Sequence, residues 1–479
     1  MNSSPHSEPV FPAAAHWIGG GPVPASGPVI DVLNPATGAV VAAVPAGTAA
    51  DVDRAVAAAA AALPGWASTA PADRAAVLRR VCEGLQARTE EIAATITAEM
   101  GAPITFSRMA QAALPVISAT ATIAAATDFP WTEEVATSLV VREPVGVVGA
   151  ITPWNFPLQQ LVTKVAPALL AGNTVVLKPS EIAPLTARIF AEVAAEAGVP
   201  AGAFNVVHGT GPVVGEAIAA HPDIAMVSFT GSTRAGKRVA ELAARTVKRV
   251  ALELGGKSAN VILRDADLKD AVTRGVASAW TNSGQVCGAW TRMLVPAELQ
   301  DEAVALAREA AAEYSVGDPA DPATRLGPLV SPAQRDRVVA YIESGVADGA
   351  TLVTGGPAPV PGLPGGAYVR PTIFADVDPA SAIAREEIFG PVLVIIPYAD
   401  DDDAVRIAND TVYGLNGGVF GDPGHAMSVA RRIHAGQLDL NGAAMNLHAP
   451  FGGFKQSGNG REMGRFGLEE FLELKSIQR

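Results

Sequence analysis

Two successive alternations of short apolar strands with helices, and one extended segment that fits neither, predict an α/β chain of two units. The first unit reads as a doubly wound, Rossmann-like parallel sheet, the second as a further α/β layer, with an extended β arm beside them. The first alternation opens with VGVVGAIT (145–152), a buried-strand pattern, followed by the helical LQQLVTKVAPALLAG ending at Gly172. TVVLKP (174–179), a helix over 184–198, FNVVHG (204–209), another helix and IAMVSFTG (224–231) complete it. The second runs from near 258 to about 440: ANVIL, helices around 268–282 and 300–314, then RMLV, TLVTGG and PVLVIIPY. A length of 479 residues, too great for one common core, agrees with more than one unit.

Ahead of these, residues 51–64 and 72–100 read as Ala-rich helices with Asp51 and Asp73 as acidic starts. Residues 124–143 read as an extended arm, and the final FLELKSIQR has strand character. Lone strands leave backbone groups unsatisfied, so these two are expected to pair with each other or with another subunit. The expected division is therefore 8–123 with 144–254 as the cofactor domain and 255–440 as the catalytic domain. Residues 124–143 and 465–479 form the arm, and 441–464 are a returning segment at the active-site mouth. A disordered tract is expected only in the first dozen residues.

Composition narrows the class. A net charge of −13 leaves no clustered Lys and Arg for phosphate contacts, so no nucleic-acid partner is expected. No apolar run reaches the length of a membrane span, and the N-terminus lacks the pattern of a secretory signal. The two cysteines, Cys82 and Cys287, make neither a disulfide framework nor a zinc site. No metal is expected, and a reducing cytoplasm is the simplest compartment.

Two glycine turns compete for a nucleotide's phosphates. HGTGPVVG (208–215), with Gly211 and Gly215, is one residue longer than the dinucleotide fingerprint. FTGSTRAG (229–236) follows a strand and opens a helix, where free backbone N–H groups favour a phosphate. In VVLKPSE (175–181), Lys178 and Glu181 stand at a strand end and suit the two hydroxyls of a ribose. A carboxylate there repels a 2′-phosphate, which favours NAD over NADP.

Three polar residues sit in unusual local sequence. Asn155 lies in TPWNFP, Glu253 precedes Gly-Gly in ELGGKS, and Cys287 lies in GQVCGAW. A thiolate can attack a carbonyl, an amide can stabilise the oxyanion, and a carboxylate can activate water. Beside a nucleotide-binding unit, this set points to oxidation of an aldehyde through a thioester.

The stretches PWNFP, VVLKPSE, FTGST, LELGGKSANVI, GQVCGAWTR, EEIFGPV, YGLNGGVF and PFGGFKQSGNGREMG occur in one order along nearly the whole chain. In them the sequence resembles the aldehyde dehydrogenase superfamily, of the hydrolytic, non-acylating type. The resemblance implies Cys287 as nucleophile, Asn155 and the Cys287 N–H as oxyanion hole, Glu253 as base for water, and Lys164 near the proton path. It also implies an NAD site at Lys178 and Glu181 for the adenine ribose, Gly231 and Ser232 for the pyrophosphate, and Glu387 with Phe389 for the nicotinamide half. Trp154 and Phe229 are expected to line the cofactor cleft, with Thr152, Gly211, Gly215 and Leu254 nearby. It further implies that the arm joins subunits, so a homodimer or homotetramer is expected.

Phe156, Gln160, Thr163, Val286 and Met445 are the expected substrate contacts, with Gln159, Asn446 and His448 close by. They suggest a roomy, partly polar pocket for a medium or bulky aldehyde. A coenzyme-A-acylating enzyme is the nearest alternative, and such enzymes usually lack the base that Glu253 supplies. A thiol hydrolase would need a Cys–His pairing that the seven histidines do not offer in a recognisable motif. A non-catalytic NAD-binding scaffold would not be expected to keep Asn155, Glu253 and Cys287 together.

Overall fold

The computed structural model describes residue 11, residues 14–24 and residues 27–479. Among these residues, two seven-stranded sheets carry the architecture. Across the first, the order is Arg249–Glu253, Met226–Thr230, Val147–Ile151, Thr174–Lys178, Phe204–Val206, His16–Ile18 and Gly21–Val23. The first five strands are parallel; the last two close the edge antiparallel. VVGAI, TVVLK, FNV and MVSFT are buried at every residue, as strands covered by helices on both faces must be.

The path of the chain through this sheet decides where a ligand can sit. From Val147–Ile151 it steps outward through Thr174–Lys178 to Phe204–Val206, then returns to lay Met226–Thr230 on the opposite side of Val147–Ile151. Connections leaving those two strands diverge, and a crevice opens at their carboxyl ends. TPWNFP leaves one lip and Gly231-Ser232 the other.

Behind the first lip lies the helix Pro157–Ala171. Pro157 suits the first helical position, where no N–H partner is needed, and Gly172 ends the helix at φ +95°, which a side chain would resist. Nearly every residue of it is buried, including the polar Gln159, Thr163 and Lys164. A helix buried all round has no solvent face, so each of those polar groups needs a local reason.

The second sheet runs Thr351–Thr354, Thr372–Ala375, Val392–Tyr398, Arg292–Pro296, Ala259–Ile262, Gly417–Phe420 and Asp439–Leu440, parallel except at its first pair. Leu472–Gln478 pairs antiparallel with Ser138–Pro144, which pairs in turn with Thr132–Val135. Residues 452–460 return against the outer edge of the first sheet, where the Asn459 side chain accepts from Leu252 N–H at 2.9 Å and Leu254 N–H donates to the Ser457 carbonyl at 2.9 Å. None of the helices of the described residues is long and apolar enough to cross a membrane.

The expected helix over 72–100 is two helices, Pro71–Ala87 and Thr89–Met100. Arg88 breaks it with non-helical backbone, and its guanidinium ties the joint to Glu91 and to Glu192 of the neighbouring helix. The arm is extended only from Thr132; residues before it finish the helix Ala113–Ala125 and turn, because Ile123 and Phe129 belong to the first core. Disorder in the first dozen residues, and the start of the cofactor domain at residue 8, concern positions that lie outside the described residues, Phe11 excepted.

Arg292 joins the second sheet to the helix Asp401–Asn409. Its buried guanidinium donates to the carbonyls of Lys257, Ile407 and Ala408 at 2.9, 2.9 and 2.8 Å. Arg292→Met leaves three buried acceptors without donors and is expected to cost about 3 kcal/mol or more. A clear drop in the thermal midpoint checks this; an unchanged midpoint contradicts it.

Candidate active site

Cys287 stands where two cavities meet. One, about 150 Å³, lies in the crevice of the first sheet between Trp154, Asn155, Gly231, Ser232, Glu387 and Phe389. The other, about 360 Å³, opens on the opposite side of the sulfur along the Pro157–Ala171 helix. Cys287 and Gln160 line both.

The turn that carries Cys287 is unusual. Asn282, Ser283 and Gly284 follow one another at φ +54°, +56° and +73°, three left-handed residues in a row. Asn and Gly tolerate that region; Ser283 is held there because its hydroxyl donates to the Gly327 carbonyl at 3.0 Å. At Gly284 a Cβ would lie 2.1 Å from the Gly390 carbonyl, so only glycine fits. Gln285 completes the anchorage, accepting from Val330 N–H at 2.9 Å and donating to the Asn282 carbonyl at 3.2 Å.

Asn155 is locked to the same turn. Its side-chain amide donates to the Gln285 carbonyl at 3.0 Å, while its own carbonyl accepts from Gln111 at 2.9 Å and Asn282 at 3.0 Å. One amide proton is thus used for position; the other remains for a ligand beside Cys287. Gln111 and Asn282 escaped the sequence reading. Gln111 sits in an irregular helical turn, Ser107–Ala112, that no local pattern announces; Asn-Ser-Gly at 282–284 is itself a turn signal in the sequence.

The Gly-Gly pair after Glu253 has a steric explanation. A Cβ on Gly255 would lie 2.4 Å from the Glu387 carboxylate, and one on Gly256 would lie 2.4 Å from the Cys287 carbonyl. The backbone therefore passes between the nucleophile's turn and the glutamate, and Gly256 N–H donates to Glu387 at 3.0 Å. Phe389, at φ +63°, meets Trp154 edge to face at 5.3 Å between ring centroids. Gln334 and Arg337, which the sequence did not single out, hold this loop through the carbonyls of Phe389 at 2.9 Å and Glu387 at 2.6 Å.

Glu253 lies on neither cavity wall. It is buried at the strand end with both carboxylate oxygens unpartnered, and a Cβ on Gly452 would come within 2.7 Å of one of them. Burial first, then the Glu462 carboxylate, push its pKa well above the usual range, with Lys164 opposing. Lys164 is buried between Thr230, at 2.6 Å, and Glu462, with which it forms a close ion pair. Glu462 faces the second cavity, so Lys164 touches that space only through it. Glu462 lies in the GNGREMG stretch, where no local pattern points to Lys164, 298 positions away.

At the far end of the crevice, Lys178 pairs with Glu181 at 2.8 Å, and Gly211 N–H donates to Glu181 at 3.3 Å. Burial disfavours the Glu181 carboxylate, but the Lys178 charge and these hydrogen bonds outweigh it and hold its pKa below the usual value. Gly215 packs beside the Lys178 stem, and Thr152 N–H donates to the Lys178 carbonyl at 3.1 Å. Ser232 caps the helix Thr233–Ala243, accepting from Ala235 N–H at 3.3 Å. Leu254 lines the first cavity. Phe229 does not: its ring packs beneath Gly231, where a Cβ would meet it at 2.6 Å, because this strand position points inward. The set fits a dinucleotide: an ion pair for a ribose, a glycine turn at a capped helix, and a buried carboxylate at the other end.

Phe156, Gln160, Thr163, Val286 and Met445 all line the second cavity, as does Gln159. Asn446 and His448 do not reach its wall.

Comparison with known proteins agrees. A model described as the aldehyde dehydrogenase family matches residues 23–477. A 3-succinoylsemialdehyde-pyridine dehydrogenase from a Pseudomonas species is 51% identical over 454 residues, 93% of this chain and 94% of that protein. The cysteine-to-alanine mutant of aldehyde dehydrogenase C from Pseudomonas syringae, solved with NAD+ and octanal, superposes with a TM-score of 0.96 at 51% identity, covering 100% of this chain and 98% of that one. An aldehyde dehydrogenase from Mycobacterium tuberculosis, solved with NAD+, gives a TM-score of 0.95 at 44% identity, covering 98% and 99%.

Burial, then the carboxylates of Glu387 and Glu253, push the Cys287 thiol up to about 12. With its pKa raised, the thiol holds its proton at neutral pH. Without cofactor, the rate of Cys287 alkylation by iodoacetamide is expected to climb through pH 9 with no plateau. A plateau below pH 8 contradicts this.

Proposed function

The chain belongs to the aldehyde dehydrogenase family, and from that premise we propose that it oxidises medium or bulky aldehydes to carboxylic acids with NAD, using Cys287 as nucleophile. The observation that carries this reading is the position of Cys287 between the crevice at the carboxyl ends of the first sheet's strands and a separate cavity of about 360 Å³. The NAD+ and octanal of the Pseudomonas syringae structure, and the bulky aldehyde in the name of the Pseudomonas relative, support the cofactor and the size class.

As the Cys287 sulfur attacks the aldehyde carbon the thiol proton leaves to solvent through the open second cavity, and the aldehyde oxygen takes the resulting negative charge. The free Asn155 amide proton and the Cys287 N–H stabilise it, and both are fixed before substrate arrives. Bound NAD supplies the hydride acceptor. The thioester that remains on Cys287 is hydrolysed by water, whose proton Glu253 accepts; a carboxylate with a raised pKa is a better base near neutral pH than an ordinary one. Lys164 and Glu462 act on Glu253 through their charges, the first lowering and the second raising its hold on a proton. The acid leaves, and the proton on Glu253 returns to the sulfur to restore the thiol.

Glu181 gives the preference for NAD. It is held ionised by Lys178, so a 2′-phosphate would meet a negative charge. A homodimer or homotetramer is supported by Val135, Leu474 and Ile477, exposed apolar side chains on the protruding three-stranded sheet. Two free cysteines suit the cytoplasm.

One assay tests the reading: reduced nicotinamide formation from NAD and from NADP with aldehydes of graded size. Wild type is expected to oxidise several with NAD, and Cys287→Ala to fall by at least about 10^3-fold. Glu181→Gln is expected to raise kcat/KM for NADP relative to NAD by about tenfold, or ~1.4 kcal/mol. Turnover surviving in Cys287→Ala contradicts the mechanism; an unchanged cofactor ratio contradicts the role of Glu181.

A further inference from the structure

The second cavity contains a polar feature that oxidation of a plain alkyl aldehyde does not need. Gln159 is 4% exposed, lines the cavity, and has neither amide atom hydrogen-bonded. A buried primary amide left without partners destabilises the fold. Natural cores seldom tolerate that without a function.

Several other polar groups on this wall are already used. Thr163 donates its hydroxyl to the Gln159 backbone carbonyl at 3.1 Å, and Thr281 donates to the Ala277 carbonyl at 2.9 Å. Gln437 donates to Asp439 at 2.9 Å, and Glu462 is paired with Lys164. Buried with no partner at all are both amide atoms of Gln159 and the side-chain oxygen of its neighbour Gln160. Among the described residues the wall carries no lysine or arginine, while Asp439 and Glu462 supply carboxyl groups. A negatively charged tail has no partner there.

We propose that Gln159 is a specificity residue selecting uncharged aldehydes that carry a second hydrogen-bonding group, such as a ketone, along the chain. The proposal rests on the reading of Cys287 as the aldehyde-oxidising nucleophile and adds the class of substrate. Before substrate binds, the Gln159 amide atoms are closed off from water and unmet. An alkyl aldehyde leaves them so, whereas a keto group that draws the amide toward the cavity supplies a hydrogen bond. The preference is therefore between substrates of equal length, not for size.

The test compares octanal with oxo-octanals in which one keto group is moved along the chain, and with the octanal analogue ending in a carboxylate. The enzymes are wild type, Gln159→Leu and the length-matched Gln159→Met. Wild type is expected to prefer at least one oxo-octanal over octanal by about tenfold in kcat/KM, and to disfavour the carboxylate. Both variants should lose that preference while keeping or improving their rate on octanal; a merely structural role would lower all substrates together. An equal preference in wild type and variants, with octanal still oxidised, overturns the proposal alone. So does a wild type that shows no preference for any oxo-octanal. If the wild type oxidises no aldehyde at all, the parent reading falls and this one with it.

Discussion

The carbonyl of Cys287 and the backbone of Gly256 lie so close that no side chain can stand between them, since a Cβ there would approach to 2.4 Å. Gly256 follows the last strand of the first sheet, and Cys287 belongs to the turn that feeds the second. Their contact is where the two α/β units share one site. The crevice made by strand order in the first sheet and the cavity beside the Pro157–Ala171 helix would otherwise be separate features. With the turn packed against the glycine pair, one sulfur faces both. The three left-handed residues 282–284, the Asn155 clamp and the Gln285 anchor all serve that placement. Strain of this kind persists only where surrounding contacts over-determine it, and it collects at functional sites.

The electrostatics follow from the same burial. Burial pushes the Cys287 thiol up to about 12 and raises the Glu253 carboxyl well above its usual range, so both hold a proton more tightly than they would in water. The buried ion pairs stand further off, Lys164 with Glu462 and Lys178 with Glu181. Charge is thus created at the sulfur and the carbonyl oxygen during the reaction, next to dipoles already in place. Preorganised donors are worth most where water is excluded and charge is new.

How much of this could be read from the sequence depends on the kind of residue. Strands such as VVGAI and MVSFT declared themselves because a doubly covered strand must be continuously apolar. Cys287, Asn155 and Glu253 stood out as polar residues in tight, glycine- or proline-marked surroundings. The residues that escaped act at a distance in sequence. Gln111 reaches Asn155 across 44 positions, and Glu462 reaches Lys164 across 298. No local periodicity encodes such pairings. Phe229 packs its ring beneath Gly231, a contact that the motif FTGST does not reveal. Arg88 broke an otherwise uninterrupted helical pattern because its partner Glu192 lies on another helix.

The central claim is that Cys287 carries the acyl group between oxidation and hydrolysis, with Glu253 serving the second step. The most direct measurement is mass spectrometry of Glu253→Gln protein quenched after mixing with NAD and an aldehyde. The account predicts a mass increase equal to the acyl group, located on the peptide that contains Cys287 and removed by hydroxylamine. An unmodified Cys287 peptide in protein that has formed one equivalent of reduced nicotinamide would contradict it.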